Sequence, residues 1–318
     1  MDLQRAQRES NRVDIGVNQH VVFQSVLVVR RRTAQAKHQG LSVRHNYGIL
    51  ADIDLSCFGI LFMCILALAW QILPEQPLLL LSNRDEFLAR PTLPLHGWAD
   101  TPILAGRDQQ SGGTWLGMTE SGRWAALTNY RQLPSIKPPA ELLRSRGLLV
   151  SEYLNSELPP LVFARQIELL RYEGFSLLLG TREQAVVVSN FGTPPTVLAS
   201  GLYVLSNGLI DEPWPKVERL RQRVTQEVLP LLAQRKLRNW KAAAFDVLAD
   251  SRIAEDVALP QTGIGLEMER LLSSVFIQSP IYGTRCSTVL AFDDQGYTLS
   301  EQTHATGDGR VTEVGAFL

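Results

Sequence analysis

Histidine and cysteine are both scarce in this 318-residue chain, which has five of one and three of the other. Three of the histidines (His20, His38, His45) precede residue 63, leaving only His96 and His304 beyond it. No paired-cysteine or Cys/His spacing suits zinc, and no CxxCH motif suits covalent haem attachment, so no metal site is read. An odd number of cysteines (Cys57, Cys64, Cys286) in a long chain argues against a disulfide framework and points to a reducing compartment. The cytoplasm is the first choice, with mitochondrial or secretory-pathway association as alternatives. No stretch supplies the roughly 20 apolar residues of a membrane span; Cys57 to Trp70 is shorter and contains Gly59. A formal net charge of -1 gives no basis for a nucleic-acid groove. Gly263-Ile264-Gly265 lacks the preceding strand and third glycine of a dinucleotide loop.

What is present divides at about residue 62. Residues 1–62 show little periodicity and carry eight basic against five acidic residues, whereas the remainder is net acidic. Three readings stay open: a disordered extension, a targeting peptide, or sequence upstream of the true start, the last being preferred. The acidic residues Asp2, Glu9, Asp14, Asp52 and Asp54 do not suit a transit peptide. Residues 63–318 are expected to form a single domain.

From Met63 the pattern is regular. Met63 to Trp70 reads as one strand, and Leu78 to Leu81 as an apolar run that stops at Ser82-Asn83-Arg84-Asp85-Glu86. Thr114 to Met118 and Arg123 to Thr128 flank a hairpin turn ending in Gly122, with residues 106–113 as a glycine-rich loop before them. Leu142 to Leu154 and Leu161 to Leu170 have helical spacing, and Pro215 opens a helix to about Leu232. Trp240 to Leu248 reads as a further helix. Strands are expected at Phe175 to Leu179, Ala185 to Val188, Tyr203 to Leu205, Ser287 to Phe292, Tyr297 to Gln302 and Arg310 to Phe317. Strand pairs on either side of a helical middle predict an α+β layered fold.

The first two strands bring the Cys64 thiol near a guanidinium and two carboxylates. A thiol beside a fixed cation has its thiolate favoured, so Arg84 is expected to activate Cys64; a small core cysteine beside a solvated turn is the plainer alternative. With translation from Met63 and loss of the initiator, Cys64 carries a free α-amine whose reference pKa is about 7.7–8.0. Thiol and base then share one residue, and no histidine is needed. Asp85 has the charge to orient the α-ammonium. Asn129 and Asn207 end strands and offer amides for an oxyanion, or are turn residues. Arg285 either holds Cys64 or a substrate carboxylate, or forms a structural ion pair. Glu86 reads as a partner for Arg90 or a backbone amide, and Cys286 as a buried structural thiol. Of the tryptophans, Trp98, Trp115, Trp124 and Trp214 read as core, with some free to line an apolar pocket. Arg84 and Asp85 are expected to matter to reactivity more than to folding.

The Met-Cys opening and Ser-Asn-Arg-Asp-Glu-Phe resemble the NRDE family, which includes transport and Golgi organisation protein 2 and its bacterial relatives. Gly112-Gly113-Thr114-Trp115-Leu116-Gly117, Ala126-Leu127-Thr128-Asn129-Tyr130-Arg131, Leu205-Ser206-Asn207-Gly208 and Tyr282-Gly283-Thr284-Arg285 continue the resemblance in the same order. It implies the four-layer αββα sandwich of N-terminal-nucleophile hydrolases. It also implies a small-molecule ligand, with haem or lipid-linked metabolism in view; no bound cofactor is otherwise expected. The order of Cys64, the Arg-Asp pair, the two asparagine motifs and Arg285 is similar to that in choloylglycine hydrolases, with different spacing around the Arg-Asp pair. An amidohydrolase and a non-catalytic ligand carrier are the two functions this supports.

The working polypeptide is therefore expected to start at Cys64. Intact-mass measurement of natively expressed protein should show a chain lacking residues 1–63; a stable full-length chain as the only active species would overturn this.

Overall fold

The computed structural model describes residues 63–99, 101–131, 139–234, 239–294, 296–304 and 311–317. The expected extension over residues 1–62, and the loop prolines Pro134 and Pro138, lie outside the described residues.

The chain opens with strands β1 (Met63–Leu73), β2 (Gln76–Phe87), β3 (Thr92–Gly97), β4 (Ile103–Asp108), β5 (Leu116–Thr119) and β6 (Trp124–Asn129). Helices α1 (Gly147–Leu154) and α2 (Pro160–Gln166) follow, then β7 (Phe175–Gly180), β8 (Ala185–Ser189), β9 (Thr196–Val197) and β10 (Gly201–Leu205). A second helical set comprises α3 (Pro215–Arg223), a π-turn at Val224–Val228, α4 (Leu229–Ala233), α5 (Trp240–Leu248) and α6 (Leu266–Leu271). Strands β11 (Tyr282–Asp293), β12 (Gly296–Thr303) and β13 (Val311–Phe317) complete it.

Two antiparallel sheets result, one ordered β10-β1-β2-β11-β12-β13 and the other β3-β4-β5-β6-β7-β8-β9. Side chains alternate between the faces of a strand, so a strand buried on both sides divides its apolar residues between two cores. In β1, Leu66, Leu68 and Trp70 meet Leu116, Met118, Trp124 and Leu178 of the second sheet. Ile65, Ala67 and Ala69 instead pack under Val217, Leu220, Trp240 and Val247 of the helices. On the second sheet, Ile103, Ala125, Leu127 and Leu177 pack under Leu149, Val150, Tyr153 and Ala164. These three cores separate four layers, αββα, as the resemblance implied.

Three local readings are corrected. Strand β2 does not stop at Asn83 but runs through Phe87, because each of Asn83, Arg84, Asp85 and Glu86 finds a buried partner. Strand β4 takes in Gly106, Arg107 and Asp108, which read as loop. The helix from Pro215 is interrupted by a π-turn closed by Leu229 N–H to Val224 O. Pro230, with no N–H to give, sits just beyond that turn. The hairpin after β5 forms as expected, with Gly122 at φ 84° and its N–H bonded to Thr119 O.

Gly113 and Gly147 hold the second sheet against the start of α1. A Cβ at Gly113 meets the Gly147 carbonyl carbon at 2.4 Å, backbone that has no freedom to yield. Gly113→Ala is expected to cost about 1–3 kcal/mol by overpacking, read as a lower Tm; an unchanged Tm would show that α1 shifts freely.

Candidate active site

Cys64, Arg84 and Cys286 are cross-strand neighbours on β1, β2 and β11, all facing the other sheet. Arg84 thus stands between two buried thiols. Its Nη2 donates to Asp108 Oδ2 at 2.7 Å and its Nη1 to Thr92 Oγ1 at 3.0 Å. Glu86 Oε2 lies 3.5 Å from the same guanidinium, which stacks 4.2 Å from the Trp115 ring centroid. Arg90 closes the cluster on Asp108 at 2.6 Å and on Ser111 Oγ at 2.8 Å. The Asp108 Oδ1 also accepts the N–H groups of Gln110 and Ser111, folding the glycine-rich loop around the charge. Burial works against the Asp108 anion, yet the bonds from Arg90 and Ser111 and the nearby Arg84 hold its carboxyl below the usual range. Glu86 accepts the Phe87 N–H and pairs with Arg90, as expected.

This cluster floors a cavity of about 370 Å³. Cys64, Arg84, Asp85 and Asn129 all line it, together with Trp115, Leu127, Leu143 and Arg146. Four of the six expected site residues therefore converge. Asn207 and Arg285 do not reach the wall. Asn207 is fully buried behind it; its Nδ2 donates to Asn129 O at 3.0 Å, and its Oδ1 accepts from Ser206 Oγ and from Lys216 Nζ. Its amide is committed to these bonds, and of the two expected asparagines only Asn129 lines the cavity. Arg285 occupies a bulge between Thr284 and Cys286, which turns it out of register. Its Nη1 bonds Phe87 O at 3.0 Å and Leu88 O, clamping the end of β2.

Electrostatically, the expected activation of Cys64 is overridden in the chain with Met63 attached. Burial, reinforced by Asp85, pushes the Cys64 thiol up to about 12, although the Asp85 amide and Arg84 act in the expected downward direction. Arg84 is moreover a buried structural cation, and removing one partner from such a pair costs about 3–5 kcal/mol. Cys286 is buried against Glu301, with its thiol raised by burial, in keeping with a structural role.

Asp85 faces the helical layer, opposite to Arg84. Its Oδ1 accepts from Thr284 Oγ1 at 2.5 Å, while its Oδ2 is buried without a hydrogen-bond partner. Burial holds this carboxyl well above the usual range, with Lys216 and Thr284 opposing. In the β1–β2 register Asp85 lies directly across from Met63. Three residues of this neighbourhood escaped the sequence reading: Asp108, Arg146 and Lys216. An aspartate entering a glycine-rich loop was the legible signal for Asp108; nothing local distinguished the other two. Among the described residues no group of three or more His, Cys, Asp or Glu side chains could hold a metal ion. None of the described helices is long and apolar enough to cross a membrane.

The fold and site define a four-layer αββα protein with a cavity headed by a cysteine at the start of a central strand. The sequence profile described as Transport and Golgi organisation 2 matches residues 63–305, and the chain belongs to that family. It is 33% identical over 255 residues to the Bos taurus transport and Golgi organization protein 2 homolog, covering 73% of this chain and 88% of that protein. The Homo sapiens homolog is 34% identical over 246 residues, with 71% and 86% covered. Among solved structures, a mutant conjugated bile acid hydrolase from Clostridium perfringens matches with a TM-score of 0.44 at 10% identity, covering 80% of this chain and 92% of that one.

With residues before Cys64 attached, iodoacetamide is expected to modify Cys64 negligibly at neutral pH, with the rate still rising above pH 10, since only the thiolate reacts. A rate that saturates below pH 9 in such a chain would contradict the dominance of burial.

Proposed function

We propose that this protein is an amidohydrolase whose nucleophile is an N-terminal Cys64, cleaving the C–N bond of a small-molecule amide by acyl transfer. The observation that carries the reading is the unpartnered Asp85 Oδ2 opposite residue 63. A buried carboxylate oxygen without a donor is costly, and an α-ammonium on Cys64 supplies the donor once residue 63 is gone. The start of the family match at Met63 supports the same processing.

The steps then follow from the residues. The α-amine takes the thiol proton, and Sγ bonds to the carbonyl carbon. The oxyanion that forms is met by Asn129 at the cavity wall. Collapse breaks the C–N bond, and the leaving amine takes the proton back from the α-ammonium. A thioester on Cys64 remains. Water, deprotonated by the same amine, adds to it and releases the acid, restoring the thiol. The mixed wall of Trp115, Leu127 and Leu143 beside arginines suits a small acyl group carrying polar substituents.

For a haem carrier, the described residues of the wall include no histidine, methionine or tyrosine, so among them the iron would depend on Cys64. Two free described thiols support a reducing compartment such as the cytoplasm.

On processed protein, Cys64→Ala is expected to abolish hydrolysis of any responsive member of an amide panel. Asp85→Asn is expected to lower it about 100-fold, a loss of roughly 2.7 kcal/mol in transition-state stabilisation. Hydrolysis that survives Cys64→Ala would remove Cys64 as the nucleophile, whereas ligand binding unchanged by it with no amide cleaved would replace the enzyme by a carrier.

A further inference from the structure

Lys216 is the second residue of α3 and only 1% exposed, an unusual place for a lysine. Its Nζ donates to Asn207 Oδ1 at 3.3 Å. That bond fixes which way the Asn207 amide points, because Asn207 Nδ2 then donates to Asn129 O. Asn207 O in turn accepts the Arg131 N–H at 2.7 Å, and Ser206 Oγ, whose one proton is shared between Asn207 Oδ1 and Cys64 O, lies 3.2 Å from the latter. One buried ammonium thus anchors the link between the strand that carries Cys64 and the strand end that carries Asn129.

The charged surroundings of Lys216 come from several elements. Asp85 of β2 and Glu269 of α6 attract it, Arg131 beyond β6 repels it, and the Cys64 thiol of β1 lies in range. Arg131 is itself influenced by Glu269, Tyr282 and Glu212. The carboxylates Asp85, Glu269 and Glu212 thus stand against the two cations Lys216 and Arg131.

We propose that Lys216 is a positioning residue of the Cys64 site: it locks the Asn207–Asn129 link and favours the ionised form of Asp85 against the effect of burial, as the Cys64 α-ammonium requires. The second half rests on the amidohydrolase reading; the link to Asp85 and Asn207 stands without it. A buried carboxylate with no counter-charge takes up a proton instead. Lys216 is itself held below the ordinary lysine range, by burial first, with Asp85 opposing.

The sign of the pH effect follows. In Lys216→Met, folded Asp85 keeps its proton to higher pH than in the unfolded chain. The folded state then binds more protons over a wider window, and stability falls as pH rises through it. The variant should melt close to wild type at pH 5 and progressively below it by pH 8, the gap widening by about 3 °C or more. Asp85→Asn placed on Lys216→Met should remove the pH dependence of that gap. Lys216→Gln, which keeps a donor for Asn207 but no charge, should show the same widening, with the Asn207 side-chain amide still protected from solvent exchange; Lys216→Met should lose that protection. In processed protein both Lys216 variants should lower the Cys64 alkylation rate at pH 7.5 at least fivefold. A gap independent of pH, or an unchanged alkylation rate, overturns the proposal; if Lys216→Met does not fold, Lys216→Gln decides it. Failure of the amidohydrolase reading shows separately, as hydrolysis surviving Cys64→Ala.

Discussion

The contact between Arg84 and Asp108 is the constraint on which the rest depends. It joins β2 of one sheet to β4 of the other at the edge of the apolar core between them. A guanidinium buried there is tolerable only when its hydrogen-bonding capacity is filled, and Thr92, Asp108, Glu86 and the Trp115 ring do this together. The cavity lies at this charged end of the intersheet space, lined by Arg84, Glu86, Arg90 and Asp108. The same demand for compensation shapes the loop after β4, whose amides fold back onto the Asp108 carboxylate.

The tetrapeptide Asn83-Arg84-Asp85-Glu86 divides its work by strand parity. Arg84 and Glu86 face the intersheet cluster, whereas Asn83 and Asp85 face the helical layer. Asn83 is structural, holding Leu248 O and Val275 O through its amide at 2.8 Å and accepting from Ser287. Asp85, two residues on, keeps an oxygen unused. Four adjacent polar residues thus serve two sides of one strand, and this explains why a stretch that reads as a solvated turn lies inside a sheet.

Parts of the molecule were legible in advance because their causes are local. Hydrophobic runs located most central strands, Gly122 located the hairpin turn, and Pro215 located the start of α3. The convergence of Cys64, Arg84, Asp85 and Asn129 on one cavity was anticipated from their order along the chain. Asn207 and Arg285 were placed at the site by the same order, yet one lies behind the wall and the other clamps β2. A bulge and a competing buried lysine decide these, and neither leaves a mark in the periodicity of the chain.

The sequence by itself determined the family, the layered α+β architecture and the pairing of a cysteine strand with an arginine-aspartate strand. These follow from motif order and from the burial of apolar residues, which acts wherever such residues occur. Only the tertiary structure decided that the Cys64 thiol is disfavoured as an anion while its chain is extended, that Arg84 is spent on Asp108, and that Lys216 is buried against Asn207. Those outcomes depend on desolvation and on charges brought together from distant parts of the chain. Electrostatic energy is set by distance and burial in space, and neither is written in the linear order of residues.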